Sequence, residues 1–244
     1  MTEKALEFDP KKMEDVEYNY AQIEENISLA AQQAGKSRED IIFLAATKTV
    51  EPVYINRAIA CGLKYIGENR VQELLAKYDD YDLANASLHF IGHLQSNKIR
   101  QIVGKVDLIQ SVDSIKLAKE ISRQGQLKNT STDVLVEVNI GGEENKSGVE
   151  PERLEELLSE ISVLDNVLVK GLMTIPPVCD KKSEVRKYFS RMNKLFIDIK
   201  EKKLDNISME FLSMGMSSDY QEAILEGANM VRVGSALFGP RIYV

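Results

Sequence analysis

The 244 residues, 43% hydrophobic and 28% charged, have the composition of an ordinary globular chain with enough apolar surface for a core, and a single domain over residues 1–244 accounts for the length. A net charge of -7, from 31 Lys and Arg against 38 Asp and Glu, opposes a phosphodiester backbone, so no nucleic-acid partner is expected. The N-terminus mixes charges of both signs without an apolar h-region, and no apolar run nears the roughly 20 residues of a bilayer span; neither a leader nor a membrane partner is expected, and the expected location is the cytoplasm.

A helical pattern from about Lys11 to Gly35, with Val16, Ile23, Ile27, Leu29 and Ala30 apolar, precedes the first strand. Short β-rich runs then alternate with amphipathic stretches. The predicted strands end at Lys48, Asn69, His93, Asp113, Asn139, Ile175, Met216 and Ser235. The predicted helices between them cover Glu51 to Cys61, Val71 to Tyr78, Ser96 to Val103, Ile115 to Gln124, Pro151 to Val163, Glu184 to Lys203 and Tyr220 to Glu226. This alternation predicts an α/β fold, a (β/α)8 TIM barrel with an extra N-terminal helix. An open doubly wound sheet could hold the same elements, but the first strand turn, IIFLAATKTVEP, lacks the GxGxxG of a dinucleotide fold.

Cys61 and Cys179 have no CxxC partner and read as packed thiols. His89 and His93, joined as HFIGH, do not form the HExxH of a zinc protease, and no metal site is expected.

In such a barrel the chemistry sits at the C-terminal ends of the strands. Lys48, Glu68 with Asn69, His93, Asp113, Asn139, Ser213 to Ser218, and Gly234 with Ser235 are all expected at that mouth. Lys48 closes an apolar strand, where desolvation favours a neutral, nucleophilic amine suited to Schiff-base chemistry; a solvated strand-end lysine is the plainer reading. MGMSSD and RVGSALFG follow the last two strands, where barrels of this class bind phosphate with backbone N–H groups. Ser217, Ser218, Gly234 and Ser235 suit that role, and an ordinary helix cap with a turn glycine explains either segment alone. Arg232, between Val231 and Val233, points to the opposite face from both; it reads either as an ion pair with a carboxylate such as Glu137 or as a cation aimed at a cofactor ring.

The motifs AATKTV, IGENRVQE, HFIGHLQSNK, QSVDS, VEVNIGGEENKSG, VKGLMTI, LSMGMSSDYQEAI and VRVGSALFG, in this order over about residues 41 to 240, resemble the pyridoxal phosphate homeostasis protein family, single-domain relatives of the alanine racemase N-terminal barrel. The resemblance implies pyridoxal 5'-phosphate as cofactor, held as a Schiff base on Lys48. It implies phosphate contacts from Ser217, Gly234 and Ser235, Arg232 beside the pyridine nitrogen, Asn69 in the pocket and Met214 packed on the ring. His93, Asn139 and Lys146 fall at mouth positions shared by the family. Two positions depart from its pattern: Arg70 stands where an aromatic residue is common, and Ser235 where threonine is common.

An arginine at the ring nitrogen donates but never accepts, which leaves the nitrogen unprotonated and weakens carbanion chemistry. The chain runs a few residues past the eighth predicted strand, so no second domain with an opposing acid is expected. The family reading is therefore a cofactor buffer or delivery protein with weak or no turnover, a monomer, with cofactor-dependent apoenzymes as partners. The alternatives are an amino-acid racemase or related enzyme, which would show turnover, and a cofactor-free Schiff-base aldolase, which would be colourless.

Overall fold

The computed structural model describes residues 8–240; the expectation about a leader thus concerns, for residues 1–7, positions outside this range. The first helix, α1 (Pro10–Gln33), starts where the Asp9 carboxylate accepts the Lys11 N–H at 2.9 Å and Pro10 presets the first turn. It ends before Gly35, whose φ of +69° suits the left-handed turn that closes a helix. Its buried stripe is Val16, Ile23, Ile27, Ala30 and Ala31. Leu29, expected on that stripe, is 49% exposed, because it falls outside the i, i+3, i+4 spacing of the others.

Eight parallel strands follow and close in chain order: β1 (Ile42–Ala46), β2 (Tyr65–Glu68), β3 (Ser87–Phe90), β4 (Leu108–Val112), β5 (Thr132–Glu137), β6 (Val167–Met173), β7 (Ile207–Ser213) and β8 (Met230–Val233). The seam is made by β1 against β8, with Leu44 opposite Arg232 and Ala45 opposite Val233. The connecting helices are α2 (Pro52–Ala60), α3 (Val71–Lys77), α4 (Ile99–Ile102), α5 (Ile115–Lys128), α6 (Leu154–Ser162), α7 (Lys182–Lys202) and α8 (Tyr220–Leu225), and a last turn, α9 (Ser235–Phe238), follows β8. The expected TIM barrel with its N-terminal helix is the fold observed.

Strand alternation divides the core into two layers. Leu44, Leu108, Leu135, Met173 and Met230 fill the barrel interior with Tyr65 and Phe211 packed on them. Phe43, Ala45, Ile66, Leu88, Val134, Leu212 and Val231 point outward against Ile55, Leu74, Ile121, Leu158 and Phe189 of the helices. Each fully buried Val, Leu, Ile, Phe or Met among them contributes roughly 1.5–3 kcal/mol. Gly171 lies in the register shift between β6 and β7 with φ +150°, and a Cβ there would meet the Phe211 carbonyl oxygen at 1.9 Å, so only glycine lets the two strands approach.

Every strand ends one to three residues before its predicted end. The ladder stops where the chain turns into the mouth, although the residue types that suit a strand continue. The residues at these ends therefore belong to loops held by the barrel rim.

Candidate functional site

Lys48 lies two residues past β1, half-buried, and continues the inward parity of Ile42, Leu44 and Ala46. Across the seam, a Cβ built on Gly234 would lie 3.1 Å from the Ala46 carbonyl oxygen and 3.3 Å from its Cβ. The loop after β8 thus begins directly beside the strand that carries Lys48.

Arg232 shares the interior parity of Met230, and its side chain is almost wholly buried. Its guanidinium donates to the Ser213 hydroxyl at 2.6 Å and to the Thr174 carbonyl at 2.9 Å. The ion pair with Glu137, one of the two readings of the sequence, is not formed; Glu137 acts on Arg232 through its field, and Ser213 at the end of β7 and Thr174 just past β6 receive the guanidinium. Burial lowers the Arg232 pKa to about 10, with Glu137 and Asp219 opposing, so the group remains a cation at neutral pH. Glu137, at the end of β5, is raised to about 7 by burial and by Asp113, with Arg232 opposing.

The polar line continues through the barrel. Ser213 bonds Gln110 at 2.7 Å, and Gln110 reaches His89 Nδ1 at 3.0 Å and Met230 Sδ at 3.1 Å. His89 packs edge-on against Tyr65, and burial lowers its pKa to about 4. Gln110, Thr174 and His89 were not marked as site residues by the sequence. For Gln110 and His89, parity with the interior apolar residues was the available signal; Thr174 takes part only through its backbone carbonyl, which side-chain parity does not mark.

After β7, the Ser217 hydroxyl oxygen accepts two backbone N–H groups, from Gly234 and from Ala236, each at 3.2 Å. The Asp219 carboxylate fixes the same loop by accepting the Met216 N–H at 2.7 Å. Burial raises the Asp219 pKa, and the Met216 N–H and Arg232 oppose it. Ser217 and Gly234 are half-buried, while Ser218 and Ser235 are exposed. Asn69 sits at the rim past β2, and its Oδ1 is buried without a hydrogen-bond partner.

Two expected mouth residues face elsewhere. Glu68 points outward, where its Oε1 meets Thr47, Lys77 and Tyr81. Met214 belongs to the layer between strands and helices with Leu212, because alternation turns it away from Ser213. On the far side of the rim, His93 Nδ1 lies 3.2 Å from the Ser147 hydroxyl and is exposed. Asn139 ties down its own loop by exchanging two hydrogen bonds with the Glu143 backbone, and Lys146 pairs with Glu143 while donating to the Pro176 carbonyl at 3.3 Å. Arg70 is the exposed residue preceding α3. No group of metal-ligating side chains occurs among the described residues, and none of their helices is long and apolar enough to cross a membrane.

Residues 18–241 match the family model described as the alanine racemase N-terminal domain. The pyridoxal phosphate homeostasis protein of Aquifex aeolicus is 47% identical over 219 residues, covering 90% of this chain and 95% of that protein. A crystal structure of a protein from Bifidobacterium adolescentis superposes with a TM-score of 0.89 at 36% identity, over 94% of this chain and 97% of that one. The structure of PipY from Synechococcus elongatus with PLP bound superposes with a TM-score of 0.76 at 32% identity, over 86% of this chain and all (100%) of that one. The chain therefore belongs to the pyridoxal phosphate homeostasis proteins, within the family of the alanine racemase N-terminal domain.

Proposed function

We propose that the chain, as a single domain, binds pyridoxal 5'-phosphate at the barrel mouth and serves intracellular homeostasis of the cofactor by buffering and delivering it. The observation that carries this reading is the convergence of the Gly234 and Ala236 amides, just past β8, on the Ser217 oxygen, with β8 hydrogen-bonded to β1, the strand that leads into Lys48. With its oxygen accepting both amides, Ser217 keeps its hydroxyl hydrogen to donate to a phosphate oxygen, and the orphaned Asn69 Oδ1 is a buried acceptor suited to a ligand donor. The residues present thus fit the cofactor, as do the names of the relatives and the PLP in PipY.

The cofactor supplies an aldehyde that condenses with a primary amine and a pyridine ring that withdraws electrons. Lys48 would provide the amine for that condensation, with the aldehyde oxygen leaving as water. Ser217, Gly234 and Ser235 would hold the phosphate and Asn69 would line the pocket, while Met214 lies in the layer behind the wall rather than on the ring. Arg232 has five N–H donors and no acceptor; with Ser213 and Thr174 fixing two of its bonds, it presents a cation that leaves a pyridine nitrogen unprotonated. That favours holding the cofactor over carbanion chemistry, and the chain is read as a cytoplasmic monomer without turnover that passes its cofactor to PLP-dependent apoenzymes.

The test is to load the purified chain with pyridoxal 5'-phosphate and follow both amino-acid racemisation and reactivation of an added PLP-dependent apoenzyme. Reactivation without racemisation is expected. Sustained racemisation would make the chain an enzyme and remove the carrier reading.

A further inference from the structure

Lys48 sits in a tight turn that is held from behind the barrel wall. The Val50 N–H bonds the Thr47 carbonyl at 3.1 Å, closing a turn over residues 47–50 with Lys48 second and Thr49 third. Thr49 has φ +63°. The third turn position with positive φ is where glycine is the default, and a β-branched residue there is strained. Such strain persists only where the surroundings over-determine it, and it collects at functional sites.

The surroundings here consist of one ionic cluster. Glu73 of α3 accepts the Thr49 N–H at 2.9 Å, on the residue after Lys48. Lys77 of α3 donates to the Thr47 carbonyl at 3.2 Å, on the residue before it. Lys77 is itself held by Glu68 at 2.9 Å and Glu73 at 3.4 Å. Glu68 Oε1 also accepts the Thr47 hydroxyl at 2.8 Å and the Tyr81 hydroxyl at 2.7 Å. Burial and the neighbouring Glu68 push the Tyr81 phenol far up, so it stays a donor. Both peptides flanking Lys48 are therefore fixed by charged side chains that never reach the mouth.

We propose that Glu68, Lys77 and Glu73, holding the strained Thr49 turn, form a clamp that aims the Lys48 amine into the barrel mouth. They are positioning residues, and the proposal rests on Lys48 being the residue that captures the cofactor. A turn that only had to connect β1 to α2 would be better served by glycine at position 49. Threonine narrows the backbone to one arrangement, and Glu73 and Lys77 hold that arrangement in place.

The experiment compares wild type with Thr49→Gly, Glu73→Ala and Glu73→Gln. Three quantities are read: the rate at which pyridoxal 5'-phosphate added to the cofactor-free chain develops its visible band, the share of borohydride-fixed label on Lys48, and the thermal midpoint. Thr49→Gly relieves strain, so its midpoint equals or exceeds that of wild type, yet it labels Lys48 about 10-fold more slowly because the amine is no longer aimed. Glu73→Ala slows labelling similarly, and Glu73→Gln, which keeps an acceptor for the Thr49 N–H, restores it. Wild-type labelling in Thr49→Gly and Glu73→Ala overturns the clamp, as does a slowing that merely follows a lowered midpoint in both. Absence of any band in the wild type would instead strike at the cofactor reading itself.

Discussion

The Arg232 guanidinium donates to the Ser213 hydroxyl oxygen at 2.6 Å, and this contact sets the direction of every hydrogen bond along the interior polar line. Arginine has no acceptor, so the Ser213 oxygen accepts there and its own hydrogen goes to Gln110 Oε1 at 2.7 Å. The Gln110 amide is thereby oriented with its NH2 towards His89 Nδ1 at 3.0 Å. Ser213→Ala removes the acceptor from a buried cation and the donor from a buried amide at once. The expected loss is about 2–4 kcal/mol of unfolding free energy in denaturant titration; an unchanged midpoint would contradict the assigned directions.

The same chain of donors makes His89 accept at Nδ1 and carry its proton on Nε2. Burial lowers its pKa to about 4, from 6.5, so the ring is neutral across the physiological range. Nitrogen-15 NMR of the imidazole should show this tautomer, with protonation only near the acid end. A proton on Nδ1 at neutral pH would reverse the assignment of Gln110.

Glu137 gives stability a pH dependence of definite sign. Its pKa is raised to about 7 from 4.5, so the folded state holds the proton more tightly than the unfolded chain. Its favourable contribution is complete below 4.5 and is lost as pH rises through about 7. The shift corresponds to an energy on the order of 3 kcal/mol. Glu137→Gln should be more stable than wild type above about pH 8 and lose this advantage in acid, as read by unfolding at several pH values. An advantage that does not vary with pH would contradict the buried, proton-holding carboxyl.

Ser217→Ala removes a hydroxyl from the point where two amides converge. Pyridoxal 5'-phosphate should dissociate about 10-fold more readily, the scale of one hydrogen bond to a charged group, while the borohydride label still forms on Lys48. Equal retention by the variant and the wild type would count against the phosphate assignment.

The strands were legible as short β-rich apolar runs between amphipathic stretches, as strands buried on both faces must be, and the seam residue Arg232 stood out because alternation sends it to the face opposite Val231 and Val233. The rim positions of Lys48, Ser217 and Gly234 were legible from their places just past predicted apolar runs. The partner of Arg232 was not, since Thr174 offers only a backbone carbonyl and Ser213 lies 19 residues away in sequence. Glu68 was placed at the mouth because it ends a strand, but side-chain parity decides the face, and it turns the carboxylate towards Lys77 and Tyr81. The Thr49 turn left no mark in the sequence: threonine is an unexpected residue at a positive φ, and only the backbone reveals it.

The central claim is tested most directly by the absorbance spectrum of the purified chain with pyridoxal 5'-phosphate, taken before and after borohydride, followed by peptide mass mapping. The account predicts a yellow protein whose visible band disappears on reduction and whose mass adduct lies on Lys48, with no band in Lys48→Ala. A colourless chain that cannot be reconstituted, or an adduct on another lysine, would contradict it.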